Sequence, residues 1–140
     1  MILRDYRVED AEKVASGLVP EARIGDDQSG MVELMGIVHR KLGRMYTLEH
    51  GGEVAGSAGY FQHDGTVECF FFLTGRCESH GLETVRALRQ GMGYARMLGK
   101  PMRALVNLRK EKAVRMMPLL GFRLAGTTRG GIGIFEANNG

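Results

Sequence analysis

The spacing of apolar residues along the chain switches twice between helical and extended periods. Ala11, Val14, Ala15 and Leu18 fall on one face at the three-to-four-residue spacing of a helix, with Glu9, Asp10 and Glu12 near its start, where the helix dipole favours acid. A short strand precedes it. Met31, Leu34, Met35 and Val38 repeat the helical period and predict a second helix over 31–42, after a breaker-rich stretch at 20–30. The pattern then becomes extended: 45–49 and 53–61 read as strands joined by His50-Gly51-Gly52, because paired glycines accept the positive φ of a tight hairpin. Gly56 and Gly59 lie inside the second of these strands, where glycine implies a bulge or a close neighbour. A turn at His63-Asp64-Gly65 leads into a strand over 66–73. Leu82, Val85, Leu88, Met92 and Ala95 then mark a long helix that Gly99 ends. A strand over 102–108, a helix over 111–120 and a strand pair over 122–128 and 133–137 complete an α+β order, β-α-α-β-β-β-α-β-α-β-β.

Composition narrows the class. The 140 residues fit one domain, 1–140, with room for a sizeable core, and 44% hydrophobic with 25% charged residues excludes a disordered or fibrous chain. No apolar stretch is long enough to span a bilayer and the first residues lack the order of a secretory signal, so a cytoplasmic location without a membrane partner is expected. The net charge of +3 is dispersed over helix faces and loops, without zinc-finger spacing, a long basic run or an aromatic-rich binding strand. Nucleic acid is therefore not an expected partner. Cys69 and Cys77 are too few for a disulfide framework. Cys77 and His80 stand three apart, but no second ligand pair accompanies them, so no metal site is expected.

The richest stretch for chemistry is 70–82, where the apolar run Phe70-Phe71-Phe72-Leu73 breaks into a polar loop and then opens a helix. A helix start leaves backbone N–H groups unpaired and partly positive, so a loop that exposes them can hold an anion. Gly81 and Ser79 allow close approach and Arg76 adds positive charge, while Glu78 opposes it. The plain alternative is an ordinary strand-to-helix connection.

With this cradle after the fourth strand, the element order resembles the GNAT family of acetyl-coenzyme-A-dependent N-acetyltransferases over almost the whole chain. Three local stretches add to it: Val8-Glu9-Asp10-Ala11, Gly52 through Gly59, and Ala113 through Phe122. The run Arg76-Cys77-Glu78-Ser79-His80-Gly81 is similar to the family's cofactor signature Gln/Arg-x-x-Gly-x-Gly/Ala, with Ser79 at the middle glycine. The resemblance implies a central mixed, mostly antiparallel twisted sheet flanked by helices, acetyl-CoA as cosubstrate, and a small-molecule or protein amine as acceptor. It implies cofactor contacts at Phe72, Leu73 and Thr74, at Arg76, Cys77, Ser79, His80 and Gly81, and at Asn107. Where the family commonly has a proton-donating tyrosine this chain has Met117, and Lys110 stands near the usual asparagine position.

Acyl transfer to an amine needs a base and a polarised carbonyl. Glu68 on the fourth strand is the first candidate base, with an outward-facing strand residue as the plain alternative. His63 and His80 are further candidates by position, although turn histidines are commonly just exposed. Tyr94 is a candidate acid if its helix faces the cleft, and Cys77 a candidate acyl carrier if a neighbour lowers its pKa. Two functions stay open. One is an acyl-CoA-dependent N-acyltransferase with direct attack by the amine. The other is a catalytically silent GNAT-like binding or structural module, resembling small phage-encoded proteins, with a homo-oligomer or a virion as its partner.

Overall fold

The computed structural model describes residues 1–18 and 43–137, so the helix expected over 31–42 lies outside the described residues. Seven strands form one sheet: β1 (Ile2–Asp5), β2 (Gly43–His50), β3 (Glu53–His63), β4 (Thr66–Leu73), β5 (Met102–Asn107), β6 (Arg123–Thr127) and β7 (Ile132–Ala137). Their spatial order is β1-β2-β3-β4-β5-β7-β6, antiparallel throughout except for the parallel pair β4–β5. The described helices are α1 (Asp10–Gly17), α2 (Gly75–Ser79), α3 (Gly81–Arg96) and α4 (Glu111–Leu119). This is the mixed, mostly antiparallel sheet with flanking helices that the family resemblance implies. One element differs: the polar loop expected between β4 and α3 folds into the helical turn α2, in which Thr74 O accepts from the amides of both Cys77 and Glu78.

Strand register assigns each side chain to a face. Leu48, Val67, Cys69, Leu73, Ala104 and Phe135 pack in the main core with Val85, Leu88 and Met92 of α3 and Met117 of α4. Met45, Phe70 and Phe72 pack with Ala11, Val14 and Leu18 in a second cluster around α1. Gly56 is required by close packing, because a Cβ there would stand 2.8 Å from the Phe72 carbonyl oxygen and 3.3 Å from the Cys77 sulfur. The glycine thus lets α2 settle against the sheet.

Beneath α1 lies a closed polar network. The buried Asp10 carboxylate accepts from both terminal nitrogens of Arg4 (2.8 and 2.9 Å), the Arg7 amide (2.9 Å) and the Thr47 hydroxyl (2.8 Å), while Arg4 also holds Glu49. Burial alone would push the Asp10 carboxyl up, but these hydrogen bonds and the Arg4 charge outweigh it and hold it below the usual range.

The β4–β5 pairing is short. It joins Val67 to Met102, Glu68 to Arg103 and Cys69 to Ala104; beyond it, Phe70 to Leu73 pair with β3 and Leu105 to Asn107 pair with β7. The two parallel strands therefore splay toward their carboxyl ends and open a wedge in the sheet.

Candidate active site

Beside Leu73 at the carboxyl end of β4, between α2–α3 and α4, lies a cavity of about 360 Å³. Leu73, Leu82, Val85, Ala113, Met116 and Leu119 make its walls apolar, and Lys110, Lys112 and Arg115 line it with positive charge. α4 supplies most of this, since residues three or four apart share a helix face and Lys112, Arg115, Met116 and Leu119 follow that spacing. Glu78 also lines the cavity, 3.6 Å from Lys110 Nζ.

The opposite wall offers backbone. The first amide of α3 that a carbonyl holds is that of Thr84, bonded to His80 O at 3.0 Å, and among the described residues the N–H groups of Gly81, Leu82 and Glu83 have no carbonyl partner. A Cβ built on Gly81 would meet no atom within 4 Å, so this turn is sterically open. An apolar slot, free amides at the start of a sixteen-residue helix and a basic rim can together receive a long, partly apolar anion.

No protein-family model matches the sequence, and no curated protein matches it. Solved structures do match in fold. An N-acetyltransferase from Staphylococcus aureus Mu50 superposes with a TM-score of 0.80 at 15% identity, covering 99% of this chain and 98% of that one. An acetyltransferase of the GNAT family from Streptococcus pneumoniae gives 0.70 at 16% identity, with 96% of each chain covered. The chain has the GNAT fold. A third GNAT-like neighbour is yncA, a putative acetyltransferase from Salmonella typhimurium with its cofactor acetyl-CoA, at 0.72 and 18% identity over 100% of this chain and 94% of that one.

Within the GNAT fold the residues singled out from sequence divide sharply. Leu73, Cys77 and Gly81 line the cavity. Phe72 points to the other face of the sheet, 5.6 Å from Phe70 between ring centres. Thr74 is turned inward, its amide and its hydroxyl both bonding Ala55 O. Arg76 is diverted: Nη1 donates to His50 O at 2.7 Å and Nη2 pairs with Glu53 at 2.9 Å, because the tight Gly51-Gly52 turn brings both acceptors beside α2. Ser79 donates to Gly75 O within its own helix. His80 lies against Arg76 O and the His50 ring. Asn107 Oδ1 accepts the Arg109 amide where β5 ends.

The candidate acid–base groups are placed as follows. Glu68 forms a two-pronged pair with Arg103 (2.6 and 3.1 Å) in the last rows before the strands splay, which raises the Arg103 pKa through hydrogen bonding and charge. His63 pairs with Thr66 at the amino end of β4, about 20 Å of strand away from Leu73, and contacts Asp64 at 3.2 Å. That strand length separates it from the cavity. Tyr94 stacks on Tyr46 at 5.6 Å and takes a hydrogen bond from Gln90, outside the cavity lining. Met117 is fully buried in the core, so α4 presents no proton donor there. Burial pushes the Cys77 thiol up, the reverse of what an acyl-carrying nucleophile needs.

Sequence reasoning missed the α4 side of the cavity. Lys112 and Arg115 are not singled out by the sequence, and their i, i+3 spacing beside Ala113 and Met116 is the one signal of a shared wall.

Proposed function

We propose that the chain is an acyl-CoA-dependent N-acyltransferase that passes an acetyl group from acetyl-CoA to a primary amine. The observation that carries this reading is the wedge between β4 and β5 opening onto a cavity with free α3 amides on one wall and Lys112 and Arg115 on the other. The fold shared with acetyltransferases, one of them holding acetyl-CoA, supports it.

Acetyl-CoA would supply the thioester carbonyl and a thiolate leaving group. The Gly81–Glu83 amides would take the diphosphate, with Lys112 and Arg115 balancing its charge. The β4 edge beyond Cys69, unpaired toward β5, would bond the pantetheine amides, and Leu82, Val85 and Met116 would shield that arm from water. Glu68, neutralised by Arg103, orients the wedge apex rather than abstracting a proton. The amine's proton is therefore assigned to solvent, as is reprotonation of the thiolate. On this assignment the rate rises with pH as the free amine grows, without a bell-shaped fall.

The test is thiol release from acetyl-CoA across a panel of polyamines, amino acids and peptide amines. Release above background hydrolysis with at least one amine is expected. A second reading, a silent binding module, is favoured by one feature: both carboxylates near the wedge, Glu68 and Glu78, face cations. No thiol release from any amine would count against the transferase, and no binding at millimolar acetyl-CoA would overturn it and favour the silent module.

A further inference from the structure

We propose that His50, His80 and Glu83 form a binding site for a borderline divalent metal ion, with Zn²⁺ the best match, that staples the β2–β3 turn to the first turn of α3. The three residues are brought together by the fold rather than by sequence spacing. Each offers a ligand atom, and these atoms lie within 4.8 Å of one another. Around a tetrahedral zinc with bonds near 2.0–2.1 Å, ligand atoms stand about 3.3 Å apart, so small rotations of the exposed His80 ring and of Glu83 close the set.

Three observations point to a cation here. Glu83 Oε2 is shielded from solvent, on a side chain that is otherwise partly exposed, and faces His50 Nε2 at 3.1 Å. The His80 Nδ1 atom sits 3.0 Å from the Arg76 carbonyl oxygen, which fixes the ring with Nδ1–H donating and the Nε2 lone pair free, the arrangement that metal-binding histidines take. The His50 and His80 rings lie 4.2 Å apart between centres, so the two imidazoles share one small space.

Local charge permits the ion. Arg76 Nη1 comes within 3.4 Å of His50 Nδ1, but Nη2 pairs with Glu53 at 2.9 Å, so the guanidinium is already balanced and the Glu83 carboxylate is left to meet the metal. Two imidazole nitrogens and one carboxylate oxygen suit Zn²⁺, Co²⁺ or Ni²⁺ and not Mg²⁺ or Ca²⁺, which prefer all-oxygen sites. On binding, the metal takes the His50 Nε2 lone pair: an imidazolium releases its Nε2 proton to solvent, and a neutral ring carries its one proton on Nδ1. Water completes the coordination. None of these ligands lies among the cavity's apolar or basic lining, so zinc binding here stands whether or not acyl transfer does.

Untagged protein freed of metal by chelation, then titrated with ZnCl₂ and separately with MgCl₂, tests the site. Zinc at about 100 µM should raise the unfolding temperature by about 5 °C, and magnesium should not. Co²⁺ should give visible absorption of a four- or five-coordinate site. Both signals should be lost in His50→Gln and His80→Gln and kept in His63→Gln, whose ring lies at the far end of β4. His80 is exposed, so H80Q keeps the test valid should H50Q fail to fold. No zinc-dependent rise in the parent protein, or a rise undiminished in H80Q, would overturn the proposal.

Discussion

Charge is used in opposite ways on the two sides of the sheet. Beneath α1, Arg4, Asp10, Thr47 and Glu49 form a closed set in which the buried carboxylate has four donors. Across the sheet, Lys112 and Arg115 line the cavity with no ion pair among the described residues, beside amides that no carbonyl holds. A closed network has nothing left to offer a ligand and supports the fold, whereas an open one is poorly satisfied until an anion arrives. A similar division runs through the Arg76–Gly81 segment, where the Arg76 and Ser79 side chains bond to the protein and Gly81 opens its backbone to the cavity.

The largest effect should come from breaking the closed set. Asp10→Asn leaves Arg4 without its buried partner and should cost about 3 kcal/mol in denaturant unfolding, with acetyl-CoA affinity unchanged in the folded protein. Its acid behaviour follows from the sign of the shift. The folded carboxyl titrates below its unfolded value, so its stabilisation is complete above about pH 4 and is lost as pH falls through the lower folded pKa. Thermal melts between pH 2 and 6 should show a shallower acid limb in D10N than in the parent.

Next in size is the open set. Reversing both charges in Lys112→Glu/Arg115→Glu should weaken acetyl-CoA binding by about 10- to 100-fold in calorimetry, with stability nearly unchanged because both heads are unpaired. Retained affinity would move the anion site away from α4. Smaller again is Thr84→Val, which removes the buried hydroxyl that bonds Cys77 O and His80 O and holds α2 against α3. A loss of about 1–2 kcal/mol in stability is expected, with a few-fold weaker acetyl-CoA binding. The smallest effect should be that of Arg76→Ala, less than about threefold on acetyl-CoA affinity, because its guanidinium is held by His50 O and Glu53. A tenfold loss in R76A would show that the side chain swings to the ligand.

These contrasts explain what could be read from the chain alone. The strands, the Gly51-Gly52 turn and the helix periods were legible because apolar spacing is local, and the GNAT-like order followed from them. The cradle was legible only as a place. That residues 75–79 coil into a helical turn depends on Gly56 making room for α2 against β3, which no local pattern announces. Arg76 looked like a phosphate ligand because its competitors, His50 O and Glu53, are more than twenty residues away in sequence. Glu68 looked like a free base for the same reason, since Arg103 reaches it only through the parallel β4–β5 register. The basic wall on α4 and the His50–His80–Glu83 cluster are likewise products of tertiary contact.

The central claim is that backbone, and not the signature arginine, grips the anion at the start of α3. Amide NMR spectra recorded while acetyl-CoA is added measure this directly. The Gly81, Leu82 and Glu83 N–H signals should move downfield together while the Arg76 Nε–H signal stays in place. Saturating acetyl-CoA that leaves those three amides unmoved, or that shifts Arg76 instead, would contradict the account.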